Sequence, residues 1–235
     1  MKRILLAMAV FMGAAMQAVP AAADVSYTLN CSPGGSSFTC PSGANYGSVT
    51  LHQLGTGVSG SSTNIVEVTV NLIPVMENFA GTGAGFAVNW NISGNPSLDT
   101  TIKPLDYNND PLPTGAIYNT GNFSVEDNSV SGKTYKASPF SDTWMYAIDY
   151  NVNGGKDTND NYLIFDVTKS TGVLIADFIA SNNFMFAVDI FGGPCNPTCV
   201  VAAKVPEPAT WLMFFAGLAG LTYLLRRRRV FARAA

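Results

Sequence analysis

Charged side chains are scarce in this chain of 235 residues, of which only 12% are Asp, Glu, Lys or Arg, about half the usual share. Arginine is absent between residues 24 and 204, where six lysines stand against fifteen acidic residues, a net charge of −9 (6 − 15) with histidine neutral. Such a surface repels phosphate backbones and anionic lipid headgroups. The composition therefore argues against binding to nucleic acid.

Histidine is nearly absent as well, since His52 is the only one. Any Ser–His–Asp or Cys–His catalytic arrangement would depend on it. It lies in VTLHQL, on the face opposite Val49 and Leu51, so we expect it on the solvent side of a strand. No GxSxG or HExxH motif occurs, and the glycines of residues 81–85 lead into a strand. We expect a domain that is not an enzyme and holds no cofactor, although a pair of carboxylates acting on a glycoside stays open.

Long apolar runs are confined to the two ends of the chain. At the N-terminus, Lys2 and Arg3 precede an apolar stretch over residues 4–15, and three alanines follow at 21–23. This order is typical of a secretory signal peptide. It predicts that residues 1–23 are removed by signal peptidase between Ala23 and Asp24.

At the C-terminus, 17 residues without charge run from Ala209 to Leu225. As a helix they extend roughly 26 Å, against a hydrocarbon core of about 30 Å. Basic clusters stay on the cytoplasmic side, and four arginines follow the run, namely Arg226, Arg227, Arg228 and Arg229. The pattern predicts a single transmembrane helix over 209–225, a cytoplasmic tail over 230–235, and an exported domain over 24–204 held at the inner membrane in the precursor.

A short motif precedes this helix, consisting of Val205, Pro206, Glu207 and Pro208. The order of PEP motif, apolar helix and arginine block over residues 205–229 resembles the PEP-CTERM sorting signal of Gram-negative bacteria. The resemblance implies that an exosortase cuts near the motif and that the domain reaches the cell surface or exterior, often in the exopolysaccharide matrix of a biofilm. Two prolines disfavour helix there and keep the peptide extended. The alternative is a permanent anchor with an accidental PEP motif.

Four cysteines lie at the two ends of the exported domain, as Cys31 with Cys40 and Cys195 with Cys199. An even number in an oxidising compartment predicts two disulfides, with three possible connectivities. We favour the two local pairs, because the Pro and Gly turns between them bring the α-carbons close. A metal site is the alternative, but CxxxC with one distant histidine is a poor zinc pattern, so none is expected.

Apolar and polar residues alternate repeatedly between these cysteines. In residues 64–73 one face is entirely apolar, carrying Val66, Val68, Val70 and Leu72. Similar alternation predicts strands over 86–93, 144–151, 162–167 and 184–190, and more weakly over 25–29, 48–54 and 123–125. Seven or more such strands predict an all-β, antiparallel sandwich or jelly roll. Residues 171–180 fit a short helix or a buried strand.

Two loops are rich in the hard oxygen ligands that calcium prefers, at residues 106–110 and 157–161. Asn and Asp are also ordinary turn residues, so no calcium site is predicted.

Two functions follow as expectations. The first is a non-catalytic cell-surface or matrix protein, with extracellular polysaccharide as a further partner. The alternative is a carbohydrate-binding or carbohydrate-processing module, which would need stacked aromatic side chains. Trp90 and Trp144 are predicted to face the core, which leaves the loop residues Tyr107, Tyr118 and Tyr135 for such a platform.

Overall fold

The computed structural model describes residues 24–34, 37–40, 43–57, 59–73, 77–80, 86–106, 108–127, 134–136, 143–151, 160–192 and 195–205. The chain divides into two units, residues 1–204 and 205–235, and only Val205 of the second is described. The predicted signal peptide, PEP motif, transmembrane helix, arginine block and tail therefore lie outside the described residues. Within the described part, no helix has the length and apolarity needed to cross a membrane.

The described secondary structure is almost entirely strand. The strands are β1 (Val25–Gly34), β2 (Ser37–Thr39), β3 (Gly47–Leu54), β4 (Ile65–Leu72), β5 (Glu77–Phe79), β6 (Val88–Trp90), β7 (Asp99–Ile102), β8 (Phe123–Asp127), β9 (Tyr135–Lys136), β10 (Thr143–Trp144), β11 (Tyr146–Tyr150), β12 (Tyr162–Thr168), β13 (Phe184–Gly192) and β14 (Cys195–Lys204). Two short 3-10 turns, Thr120–Asn122 and Ile175–Asp177, complete the set. The prediction of an all-β domain is confirmed.

Hydrogen bonds join most strands into one twelve-stranded sheet, while β9 and β10 form a separate hairpin. The order is β7-β12-β4-β3-β1-β14-β13-β6-β11-β8, with β2 attached to β1 and β5 to β13. All the pairings are antiparallel. The end strands β7 and β8 touch, so the sheet nearly closes on itself. Because the strands belong to one sheet, the predicted sandwich of two sheets is not confirmed.

The interior of this curled sheet is filled from strands far apart in its order. Val68 of β4 stands opposite Phe165 of β12, and both are fully buried. The ring of Phe165 lies 5.1 Å from that of Trp90 on β6, and Trp90 stacks on Tyr146 at 5.8 Å. Contacts between aromatic rings stabilise a core beyond the effect of the apolar area that each ring buries. The predicted apolar face of β4 therefore forms part of the core.

A second apolar cluster lies on the other face of the sheet, where Tyr135 and Trp144 pack over Ala147, Ala187 and Val200. The sequence pattern placed Trp144 on the same face as Tyr146, and this prediction is wrong. The chain bends at Met145, whose N–H donates to Asn91 Oδ1 at 2.7 Å. The bend interrupts the alternation, so Trp144 is buried as predicted but in the second cluster.

Two segments differ from the sequence predictions. Residues 171–180 contain no α-helix: a single 3-10 turn is followed by a bridge between Phe178 and Ile92. The strand β14 was not predicted at all. Its final residues are buried on both faces, between β1 and β13, so its sequence VVAA shows no alternation.

Candidate functional site

The folded unit ends directly before the sorting motif. Strand β14 finishes at Lys204, which pairs with Phe184 of β13. Only Val205 separates it from Pro206, so a cut at the motif leaves the strand intact. The motif residues themselves, Pro206, Glu207 and Pro208, lie outside the described part.

A line of ionisable side chains crosses the outward face of β3, β4 and β12 and ends at the residue before β1 and the residue after β7. We call it the outer polar row: Asp24, His52, Glu67, Asp166 and Lys103. The register places His52 opposite Glu67, and Glu67 opposite Asp166. The ring of His52 contacts the Asp24 carboxylate. The His52 side chain is 21% exposed, so it is partly shielded from solvent. His52 thus faces outward as predicted, but it has ionic neighbours on both sides.

The buried half of this row brings a lysine and two carboxylates together. Lys103 Nζ lies 3.3 Å from Asp166 Oδ2, with the two side chains 32% and 14% exposed. Glu67, across the strand from Asp166, is 2% exposed. This group was not predicted, although Glu67 and Asp166 both occupy outward positions of predicted strands. What could not be foreseen was that β4 and β12 are neighbours.

Tyr118 fastens Lys103 to β12. Its single hydroxyl hydrogen is shared between the carbonyl oxygens of Lys103, at 2.7 Å, and Ile164, at 3.1 Å. The Lys103 N–H in turn donates to the Ile164 carbonyl at 2.9 Å. Burial raises the pKa of Tyr118 above its ordinary value, and the Asp160 carboxylate raises it further. The hydroxyl therefore stays protonated and keeps donating.

The two acidic loops use their oxygens to hold the chain itself. Asp106 Oδ1 accepts the N–H groups of Asn108 and Asp110, at 3.1 and 2.8 Å. The buried Asp160 carboxylate accepts the Asn119 N–H, the Asn122 amide and the Tyr150 hydroxyl. Burial, followed by the bond to Asp160, raises the pKa of Tyr150.

The bonds to Asp106 are those of an ordinary turn, as expected, whereas Asp160 joins segments that are 10 to 41 residues apart in the sequence. Within the described ranges no three or more His, Cys, Asp and Glu side chains are grouped to hold a metal. Residues 107 and 157–159 of the two loops lie outside these ranges.

One predicted disulfide is confirmed, since Cys31 and Cys40 are bonded with their α-carbons 4.0 Å apart. It ties the end of β1 to the residue that follows β2. Cys199 is also disulfide-bonded. The side chain of Cys195 lies outside the described residues, so its pairing with Cys199 stays a prediction.

Aromatic side chains offer no stacking platform on the described surface, because none of those described is exposed. Trp90, Trp144 and Tyr135 are buried. The ring of Tyr118 packs 5.8 Å from that of Phe123. Tyr107 lies outside the described residues.

Comparison with known proteins identifies the tail. The family model of the PEP-CTERM protein-sorting motif matches residues 204–229. Neither a curated protein nor a solved structure matches the chain. A motif of this kind implies an exported protein with a membrane-anchored precursor that an exosortase processes. The match begins at Lys204, the last residue of β14, so the activity of the domain has to be argued from its own residues.

Proposed function

We propose that this chain is a non-catalytic cell-surface or extracellular-matrix protein, sorted by an exosortase through its C-terminal tail. The observation that carries the proposal is the sorting-motif match over residues 204–229, which begins at Lys204, the last residue of β14. In the precursor, residues 209–225 anchor the chain in the inner membrane with the arginine block inside. The mature domain then associates with exopolysaccharide.

The domain itself supports a structural role. Its histidine pairs with Asp24, and its buried carboxylate Asp160 accepts three hydrogen bonds from neighbouring loops. The Asp160 carboxylate holds these loops together, which is the usual work of a buried polar side chain. We also propose a sandwich-like interior, in which β6 and β12 face each other across the core, as the contact of Trp90 with Phe165 suggests.

The sorting proposal is tested by the mass of the mature C-terminus in cells with and without the exosortase. We expect the protein from wild-type cells to lack Arg226 to Arg229, and the protein from cells without the enzyme to retain them. Replacing Pro206, Glu207 and Pro208 by alanine should give the same retention, while the control Asp110→Asn, in an exposed loop, should be processed normally. An arginine block retained in wild-type cells would establish a permanent anchor instead.

The alternative, a carbohydrate-binding or carbohydrate-processing module, makes a different prediction for the mature protein. It requires saturable binding or hydrolysis of a defined glycan. We expect neither hydrolysis nor selective binding on a glycan array, because the described surface lacks an aromatic platform. Turnover abolished by one carboxylate substitution in a folded variant would replace the first function with the second.

A further inference from the structure

The contact between Lys103 and Asp166 joins the edge strand β7 to its neighbour β12. Asp166 pairs with Thr101, so Lys103, two residues on, is a diagonal neighbour on the same face. Its amine reaches Asp166 Oδ2 at 3.3 Å. The other carboxylate oxygen, Asp166 Oδ1, is sealed from solvent and has no hydrogen-bond partner in the described part of the chain. Such an oxygen carries a desolvation cost.

Lys103 is held in place before any chemistry takes place. Its N–H and its carbonyl are both bonded, to Ile164 and to Tyr118 respectively. Only the side chain remains to be oriented, and its tip already touches the carboxylate. Holding two reacting groups close together in one molecule raises their effective concentration far above that of free reactants in solution.

Glu67 supplies a second carboxylate at the same place. It stands directly opposite Asp166 on β4 and is 2% exposed. Directly opposed residues of antiparallel strands have β-carbons about 4.5–5.5 Å apart. A glutamate beside the pair can carry protons between the amine and the carboxyl group when its carboxylate comes within hydrogen-bond reach of them.

We infer that Lys103 Nζ and Asp166 Cγ form an intramolecular amide bond, with Glu67 as the proton carrier. One proton moves from the ammonium to Asp166, which leaves a neutral amine and a carboxylic acid. The amine nitrogen attacks Cγ, and Glu67 takes a second proton from that nitrogen and delivers it to the hydroxyl oxygen. The C–O bond breaks, one water leaves, and a neutral amide remains. No oxidant, reductant or other reactant is needed.

The physical gain is twofold. The amide removes two charges whose burial is costly, and it fastens an edge strand of four residues to the sheet. An exported domain benefits from a crosslink that reducing agents do not break. This inference concerns the domain alone and does not depend on the fate of the tail.

The intact mass of the mature protein, measured after its disulfides are reduced, tests the bond. We expect the wild-type protein to be one water molecule lighter than its sequence requires. Lys103→Arg keeps the positive charge but has no comparable nucleophile, so it should show the full mass. Lys169→Arg is the matched control, because Lys169 also pairs with an aspartate, Asp177 at 2.9 Å. It should keep the one-water deficit.

Asp166→Asn gives a sharper check. An asparagine reacts with the same amine by losing ammonia, which leaves the same covalent product. The crosslinked variant should therefore have the same mass as the crosslinked wild-type protein. Peptide mapping should use chymotrypsin, since Lys103 precedes Pro104 and resists trypsin in any case.

Glu67→Gln should have the full mass of its sequence, both alone and combined with Asp166→Asn, since an amide cannot carry the proton. If that variant does not fold, Glu67→Asp keeps a proton carrier and should crosslink at lower yield. A folded wild-type protein with the full mass of its sequence would overturn the inference. Complete crosslinking of folded Glu67→Gln would overturn the role of Glu67.

Discussion

The outward face of the sheet differs between its two halves. On β3, β4 and β12 the outward side chains include His52, Glu67 and Asp166. The register places Glu67 between the other two, and Asp166 contacts Lys103. On β11, β13 and β14 the outward positions include Ala147, Ala187 and Val200, which the residues Tyr135 and Trp144 cover. The side chains of the outer polar row are stabilised by water or by ion pairs. Small apolar side chains are stabilised only when other apolar groups cover them and exclude water. The identity of the outward residues thus decides where the chain adds its β9–β10 hairpin.

The largest expected effect lies in the apolar half. Trp144→Ala removes a fully buried indole and should cost about 3–5 kcal/mol of unfolding free energy. Chemical denaturation of the mature protein measures it. Trp144→Phe is the control: it keeps a ring and removes an indole N–H that lacks a partner among the described residues, so it should cost less. A loss below about 1 kcal/mol for the alanine variant would mean that the hairpin is not packed as a second core.

An intermediate effect is expected at the border of the polar half, where Tyr118 bonds two carbonyls. Tyr118→Phe should cost about 1–3 kcal/mol at neutral pH, because the Lys103 carbonyl loses this donor, whereas the Ile164 carbonyl keeps the Lys103 N–H. Denaturant titration of both proteins measures this difference.

The same substitution changes the response to alkali. The ordinary pKa of the Tyr118 hydroxyl is 10.0, and folding raises it above that value. As the pH rises, the unfolded chain therefore loses this proton before the folded protein does. Stability from this group is complete below pH 10.0 and falls above it. Tyr118→Phe should therefore lose less stability than the wild-type protein above about pH 10, where Tyr150 still contributes. Parallel curves for the two proteins would contradict the role of burial at this site.

Much of the fold could be predicted from the sequence, because period-two alternation marks strands with one buried face. Residues 65–72 and 162–168 follow it and are strands. The alternation fails where its physical basis fails. Residues 200–203 of β14 are buried on both faces, and Trp144 changes face at the bend at Met145, whose N–H donates to Asn91.

The candidate sites divide in the same way. The sorting tail is a continuous segment, so its motif could be recognised directly and the family comparison confirms it. The group of Lys103, Glu67 and Asp166 comes from three strands. It depends on which strands are neighbours, and local sequence patterns do not determine strand order.

The smallest effect is expected at the exposed end of the polar row. His52→Ala removes a contact with Asp24, whose side chain is 53% exposed, and exposed ion pairs contribute little because water and salt screen them. We expect a change of at most about 0.5 kcal/mol, measured by denaturant titration at neutral pH. Asp24→Asn should have an equally small effect, and the double variant should add nothing to the larger of the two. A loss of several kcal/mol on His52→Ala would show that its neighbour Glu67 depends on the imidazole, which would extend the tightly coupled part of the row from Lys103 to β3.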